Sequence, residues 1–254
     1  MIDFLMSPID PSRVHEVGFA VSWHGRFMVL AWGVLAPLAV MAARFFKILP
    51  GQDWPRQLDN QVWWRSHWMG HSLVVGLSIF SLVLVLPSNW SNLSVHGMLG
   101  YTILIGLLVQ ILLGIFRGDK GGPTQPKPDG SLRGHHYDMT RWRRIFEALH
   151  KSLGYGLLGL GVITILFGLW HANGPVWMWF LLILWWIILV GCFVFLQRRG
   201  FAVDTYQAIW GPDETHPGNR GPKPGWAVKR PSESMKEKDV TDVRNDRGHR
   251  VRSH

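Results

Sequence analysis

Five histidines stand at the starts of long apolar segments of this 254-residue chain. His24 opens the first segment, His96 the third and His150 the fourth, while His67 and His71 both open the second. Imidazole nitrogen is a common ligand of iron, copper and zinc, and the ring also exchanges protons near neutral pH. We therefore expect the chemistry at these positions to be the binding of a metal or a metal cofactor.

Patterns for other kinds of chemistry are missing from the sequence. It contains no Walker loop, no G-x-S-x-G and no H-E-x-x-H. The single cysteine, Cys192, excludes a disulfide framework, a thiolate zinc site and covalent haem attachment through C-x-x-C-H. No charged residue lies in the middle of an apolar segment, and this argues against an ion pump or a proton-coupled transporter.

The elements that must position the histidines are five apolar segments without Asp, Glu, Lys or Arg. They cover residues 27–43, 68–86, 97–116, 152–169 and 176–197. Each has about the length that a bilayer-spanning helix needs, and in lipid such a segment satisfies its backbone only as a helix. The sequence therefore predicts an all-α integral membrane protein with five transmembrane helices. Four of them form an up-and-down core that carries the histidines, and the fifth, which has no histidine at its start, is peripheral.

The distribution of basic residues predicts the orientation in the membrane. Only Arg13 and Arg26, of 26 Lys and Arg residues, lie on the amino-terminal side, and the connections 87–95 and 171–175 have none. The positive-inside rule then places the N-terminus outside and the C-terminus in the cytoplasm of a plasma or inner membrane. Because the charge is concentrated at the ends of spans, the net charge of +9 indicates membrane topology rather than nucleic-acid binding.

Three regions follow from this division of the chain. Residues 1–23 form a short extracytoplasmic segment that lacks the basic start and apolar core of a cleaved signal peptide. Residues 24–197 form the transmembrane domain. Residues 198–254 form a basic cytoplasmic tail rich in Pro and Gly, which cannot bury enough apolar area to fold by itself.

Alternating helix direction sorts the histidines into two layers. His24 and His96 fall near the outer face, while His150 falls near the cytoplasmic face with either His67 or His71. In an up-and-down bundle, helices 1 and 3 lie on one diagonal and helices 2 and 4 on the other. Each layer thus offers two imidazoles that face each other across the core. An iron porphyrin with two axial histidines requires this arrangement, so we predict two haems.

A repeated motif supports this interpretation. The pattern H-x-x-L-G-Y begins at His96 and again at His150, which places Gly100 and Gly154 one turn beyond each histidine on the same helix face. A missing side chain there leaves room for a flat ring. The helix N-termini at each face carry partial positive charge that suits haem propionates.

Several basic residues are candidates for contact with a haem. Arg26 lies beside His24 on the side with few basic residues, and we expect it to pair with an outer propionate. Arg44 and the cluster at residues 141–144 have two interpretations. They hold inner propionates or an anionic reductant, or they serve only the positive-inside topology.

Other residues have simpler interpretations. We interpret the segment that contains His135, His136 and Asp138 as a solvated loop rather than a metal site. The tryptophans near the fifth span fall into two groups, an interfacial belt and a pair expected to face lipid or a partner subunit. The belt comprises Trp170, Trp177 and Trp179, and the pair is Trp185 and Trp186.

Taken in order, these motifs resemble the cytochrome b561 family, especially its bacterial and plant-type members. The region from His24 to Arg44 resembles that family's first core helix, and the run from Trp63 to His67 resembles the entry to its second. The two H-x-x-L-G-Y segments resemble the third and fourth. The resemblance covers about residues 12–200, essentially the whole membrane part.

The resemblance implies two non-covalent b-type haems, one held by His24 and His96 and the other by His67 and His150. His71 falls where relatives often have Gln or Asn, so His67 is the expected ligand and His71 its hydrogen-bond neighbour. The family also implies electron transfer between a donor and an acceptor at opposite membrane faces, with ascorbate or a membrane quinol as candidate reductants. Because this chain lacks the sixth helix and the fused outer domain of many eukaryotic members, donor and acceptor are not assigned. Whether the protein is also a transmembrane oxidoreductase stays open.

The alternative hypothesis is an accessory subunit of a larger membrane complex. Its basic tail would be the docking segment, and any haem would be structural. The partners predicted in either case are lipid and unidentified redox or complex-forming proteins.

Overall fold

Five long helices dominate the molecule. The computed structural model describes residues 2–86, 94–117, 122–126, 129–130, 132–133, 141–222 and 225–231. Membrane helices 1 to 5 are Phe19–Phe45, Val62–Leu84, Val95–Ile115, Arg141–His171 and Val176–Arg198. Each is long and apolar enough to cross a membrane. The prediction of an all-α integral membrane protein with five transmembrane helices is thereby confirmed.

Smaller elements flank these helices. Short helices cover Ile2–Met6, Thr205–Trp210 and Pro217–Arg220. In the connection between membrane helices 3 and 4, Gly122–Pro126 pairs antiparallel with Leu132–Arg133. The predicted loop residues His135, His136 and Asp138 lie outside the described residues.

The described helices extend beyond some predicted spans. Membrane helix 4 begins at Arg141, whereas the uncharged segment begins at residue 152. In this extra stretch Glu147 pairs with Arg143 at 3.5 Å and with Lys151 at 3.0 Å, both at the i,i+4 spacing that stabilises a helix. The first turns of this helix are thus charged and lie outside the apolar segment.

Membrane helix 1 is central to the bundle. It packs against membrane helices 2, 4 and 5, and membrane helix 3 packs against membrane helix 4. Helices 1 and 2 approach closely at Gly70, where a Cβ atom would lie 2.9 Å from Cβ of Ala39. All five helices contribute to one buried core, which consists of Ala31, Trp32, Ala36, Val74, Ile103, Leu107, Leu157, Ile165 and Leu182.

The middle of membrane helix 1 is irregular. Its segment Val29–Leu35 is π-helical and is followed by Pro37. Proline has no N–H to donate to the carbonyl of Gly33 four residues earlier, and Trp185 Nε1 of membrane helix 5 donates to that oxygen at 2.9 Å. The prediction that Trp185 and Trp186 face lipid or a partner is therefore wrong, since Trp186 also packs against the core.

The amino-terminal residues pack on the connection between membrane helices 4 and 5. Asn173, 2% exposed, accepts from the Asp10 N–H at 3.0 Å and donates to the Arg13 carbonyl at 2.7 Å. The Arg13 guanidinium lies 4.8 Å from the ring centre of Trp170. These contacts define the N-terminal end of the bundle, where membrane helix 1 begins. The C-terminal end is the opposite one, where membrane helix 5 finishes.

Part of the tail folds against the C-terminal end. Residues 201–222 and 225–231, here named the C-terminal cap, bury Tyr206, Ile209 and Trp210 against Trp63. Burial of one large apolar side chain stabilises by roughly 1.5–3 kcal/mol. Arg230 pairs with the fully buried Asp204 at 3.0 Å. The sequence predicts a tail that does not fold alone. This part of it folds on a surface that the membrane domain provides.

Candidate functional site

Two histidines face each other near the N-terminal end. His24, in the second turn of membrane helix 1, and His96, at the start of membrane helix 3, have ring centroids 5.9 Å apart and planes at 84°. Both side chains are half-buried. The structure thus brings together the two residues that the sequence predicts as the outer pair.

The Nδ1 atom of each of these two rings contacts a neighbouring helix. His24 Nδ1 lies 3.1 Å from the Ser81 carbonyl and 2.9 Å from Ser81 Oγ, and His96 Nδ1 lies 2.9 Å from the Thr164 carbonyl. An imidazole that donates from Nδ1 to a carbonyl keeps its lone pair on Nε2, the nitrogen then free to bind a metal. This is the usual environment of a metal-ligating histidine.

Gly168 provides the space that His96 occupies. A Cβ atom at Gly168 would lie 2.7 Å from Cε1 of His96. Any larger residue would therefore displace the ring. At Gly100 a Cβ would meet nothing, whereas at Gly154 it would lie 3.4 Å from Nε2 of Gln110, which donates to the His150 carbonyl. The predicted role of Gly100 and Gly154 in accommodating a flat ring stays a prediction.

A second pair lies near the C-terminal end. His67 of membrane helix 2 and His150 of membrane helix 4 have ring centroids 6.1 Å apart and planes at 69°. His67 Nδ1 lies 3.4 Å from the Ala39 carbonyl. His150 Nδ1 is buried and has no hydrogen-bond partner among the described residues. His71 lies one turn beyond His67, with its ring centroid 4.6 Å from that of His67.

The basic residues that the sequence predicts to contact a haem differ in their exposure and in the groups that they contact. Arg26 is exposed and its guanidinium lies 5.1 Å from the Trp23 ring centre. Arg44 is engaged elsewhere, because it donates to Gln197 Oε1 at 2.8 Å, to Tyr155 Oη at 3.3 Å and to the Trp226 carbonyl. Arg44 therefore fastens helices 4 and 5 and the C-terminal cap to helix 1. Within the cluster at residues 141–144, Arg143 pairs with Glu147.

Sequence reasoning missed Arg117, at the end of membrane helix 3. Its guanidinium lies 3.9 Å from the ring centre of Trp64, and its charge acts on both His67 and His150. The sequence shows it only as one of several basic residues in a positive connection. Ser81 and Thr164 were also missed, because every residue has a carbonyl and the sequence does not indicate which one a histidine will contact.

Two imidazole nitrogens at each end suit a metal ion that is already held by the other ligands of a cofactor. Two metal–nitrogen bonds of about 2 Å, continued to the ring centres, place two axial imidazoles about 6 Å apart. Both pairs agree with that spacing. Among the residues that the structure describes, no group of three His, Cys, Asp or Glu is arranged to hold a bare ion. An iron porphyrin, which supplies four equatorial nitrogens itself, fits a site with two imidazoles.

The protein is thus an all-α integral membrane protein with an imidazole pair at each end of its bundle. Over 154 residues it is 26% identical to a "Cytochrome b561, DM13 and DOMON domain-containing protein" of Arabidopsis thaliana. That stretch is 59% of this chain and 14% of the much longer relative. No family model and no solved structure matches the chain.

Proposed function

We propose that this protein is a transmembrane electron carrier that binds two haem b groups. His24 and His96 hold the haem at the N-terminal end, and His67 and His150 hold the one at the C-terminal end. The observation that carries the proposal is the presence of two imidazole pairs, with ring centroids 5.9 and 6.1 Å apart, at opposite ends of one apolar bundle. The similarity to a protein named as a cytochrome b561 supports it.

The residues of the chain have defined tasks in this mechanism. The Ser81, Thr164 and Ala39 carbonyls orient three of the rings through Nδ1, which fixes the tautomer and the direction of the ligating nitrogen. When bound, haem supplies one-electron chemistry at iron. Arg26 at one end and Arg117 at the other offer positive charge to propionates. The apolar core between the two pairs excludes water and ions from the interior.

The proposed orientation follows the basic residues. The chain has 26 Lys and Arg residues. Arg13 and Arg26 belong to the amino-terminal side of the predicted spans, and the other 24 belong to the opposite side. We therefore assign the His24–His96 pair to the outer face and the His67–His150 pair to the cytoplasmic face. Electrons then cross the membrane between the two faces. A small reductant or a membrane quinol is the class of donor that such a carrier accepts.

Haem quantification tests the proposal. The purified protein is expected to hold two haems per chain with the reduced spectrum of bis-histidine b-type haem. His24→Ala and His150→Ala are each expected to retain one, and together they are expected to retain none. His15→Ala is a matched control on an exposed histidine outside both pairs, and it should retain two.

Two results would contradict the proposal. One is a wild-type protein that holds fewer than two haems per chain. The other is a normal haem content combined with no reduction by ascorbate or by a quinol in stopped-flow measurements, which would favour a structural haem in an accessory subunit.

A further inference from the structure

One aromatic side chain lies between the two histidine pairs. Trp32 of membrane helix 1 donates from Nε1 to Ser78 Oγ at 3.0 Å, and Ser78 lies one turn from Ser81, which contacts His24. On membrane helix 4, Trp32 touches Gly161, one turn from the Thr164 carbonyl that contacts His96. The indole thus lies about one turn inward from the His24–His96 pair.

The other pair lies further along the same helices. Ala39, whose carbonyl contacts His67, follows Trp32 by two turns of membrane helix 1. Between the level of Ser81 and the level of His67, membrane helix 2 rises about 20 Å. Trp32 therefore lies inside the gap that separates the two pairs.

The indole is fixed in this gap on two sides. Trp32 is 6% exposed, and the hydroxyl of Ser78 that accepts its N–H is fully buried. On the opposite side a Cβ atom at Gly161 would lie only 3.3 Å from Cε3 of Trp32. Glycine at this position lets the ring approach the backbone of membrane helix 4 closely. The ring has little freedom to move.

Most side chains around Trp32 are saturated, and the indole of Trp186, which packs on the same core, is only partly buried. Apart from Trp32, the buried residues of the central cluster are aliphatic. Electronic coupling across a saturated medium falls steeply with distance, whereas the π orbitals of an indole provide states through which coupling extends further. Within the described buried cluster, Trp32 is the residue with such orbitals.

From this geometry, and resting on the proposed function, we infer that Trp32 is the side chain that couples the two haems electronically. One electron leaves one iron and one electron arrives at the other. The indole is neither oxidised nor reduced in this step. Its N–H stays on Ser78, so no proton moves with the electron.

Flash reduction of one haem with a membrane-impermeant photoreductant tests this inference, because the second kinetic phase then reports transfer between the haems. Trp32→Leu removes the ring and is expected to slow that phase by about an order of magnitude. Trp32→Phe retains a ring, and Ser78→Ala retains the indole but removes its acceptor. Both of these variants should stay within about threefold of the wild-type rate.

Three further measurements separate coupling from a structural role. All variants should hold two haems per chain, with both reduction potentials unchanged, and their thermal unfolding midpoints show whether packing is damaged. If Trp32→Leu loses haem, Trp32→Met takes its place, since methionine fills irregular core space. Loss of haem from both aliphatic variants would assign Trp32 a structural role and overturn the inference.

Two other results would also overturn it. One is a wild-type transfer rate in a Trp32→Leu protein that holds both haems, which leaves the proposed function intact. The other is equal slowing in Ser78→Ala and Trp32→Leu, accompanied by lower unfolding midpoints. Failure of the proposed function itself is recognised earlier, since the wild-type protein would then lack two haems.

Discussion

The chemistry of this protein depends on what lies behind each imidazole. Three of the four paired rings place Nδ1 against a main-chain carbonyl of a neighbouring helix, at 2.9 to 3.4 Å. If these histidines bind a metal as proposed, a neutral carbonyl at Nδ1 orients the ring without the negative charge that a carboxylate would add. His150 differs from the other three, because its Nδ1 is buried and no described residue is hydrogen-bonded to it. The two pairs therefore differ in the hydrogen bonds that their rings make.

The choice between His67 and His71 is a prediction at this scale. We expect His67→Ala to lose one haem, because His67 is the ring 6.1 Å from His150, the spacing that an intervening iron requires. His71→Ala should retain two haems and change only the low-spin resonance spectrum of one of them, since His71 packs on the His67 ring. The measurement is haem per chain with electron paramagnetic resonance. Retention of both haems in His67→Ala, with loss of one in His71→Ala, would reverse the assignment.

The sequence was informative about the paired residues and uninformative about what holds them. Helix direction and the position of each histidine within its span are both visible in the sequence, so the juxtaposition of His24 with His96 could be predicted, and so could that of His150 with either His67 or His71. Only the resemblance to a known family favoured His67. The Ser81 and Thr164 contacts depend on the rotation of neighbouring helices. That rotation arises from packing of the whole bundle and has no local signature.

Among the elements, membrane helix 1 combines a π-helical segment with a proline. Pro37 has no N–H to donate to the Gly33 carbonyl at the α-helical spacing, and Trp185 Nε1 of membrane helix 5 donates to that oxygen. A buried carbonyl left without a donor costs about 1–3 kcal/mol. Membrane helix 5 is therefore tied to helix 1 by a polar contact as well as by apolar packing.

We expect Trp185→Phe to destabilise the protein by about 1–3 kcal/mol, because the Gly33 carbonyl then loses the indole donor. In a Pro37→Ala background the residue at position 37 regains an N–H, so the same substitution should cost less. Thermal unfolding of the four proteins in a double-mutant cycle measures this coupling. Strictly additive effects would show that the indole does not substitute for the missing backbone donor.

A buried lysine of the membrane domain lies where that domain meets the C-terminal cap. Lys47, 8% exposed, donates from Nζ to the Val203 carbonyl at 3.0 Å. Burial, reinforced by the positive charge of Lys151 and opposed by Glu147 and Asp204, lowers the pKa of Lys47 from 10.5 to about 7. The docked cap therefore binds Lys47 in its neutral form over much of the alkaline range.

This burial predicts a pH dependence of cap docking. Between about pH 7 and pH 10.5 the released Lys47 is protonated while the docked one is not, so the released state binds more protons. The free energy of cap release should then rise with pH across this window and level off above it. Scanning calorimetry at several pH values should show the cap transition move upward.

Two substitutions control this measurement. Lys47→Met keeps an apolar chain of similar length and should flatten the pH dependence, whereas Lys229→Met, at an exposed lysine of the same cap, should leave it unchanged. A slope that persists in Lys47→Met would assign the pH dependence to another group. This contact could not be predicted from the sequence, because a lysine beside a predicted span normally lies in water.

Across the whole molecule, the uneven distribution of basic residues and the separation of the two histidine pairs follow the same direction, from one end of the bundle to the other. The pair at the N-terminal end lies where Lys and Arg are nearly absent, and the other pair lies beside the basic connections and the cap. The number of spans, and which end of the bundle is basic, could be predicted from the order of apolar and basic residues along the sequence. The fold of the cap could not, since its apolar residues are few and acquire a core only against Trp63 and its neighbours.

We expect Glu16 to lie outside the membrane and Asp53 to lie in the cytoplasm, since the connection containing Asp53 is rich in basic residues and the segment containing Glu16 is not. Both side chains are exposed, so each can be replaced by cysteine in a Cys192→Ala background without disturbing the core. In intact cells an impermeant maleimide should label Glu16→Cys and spare Asp53→Cys, which should react only after lysis. The Cys192→Ala protein is the unlabelled control. If only Asp53→Cys were labelled in intact cells, the orientation would be the reverse of the one proposed. His24 and His96 would then lie at the cytoplasmic face.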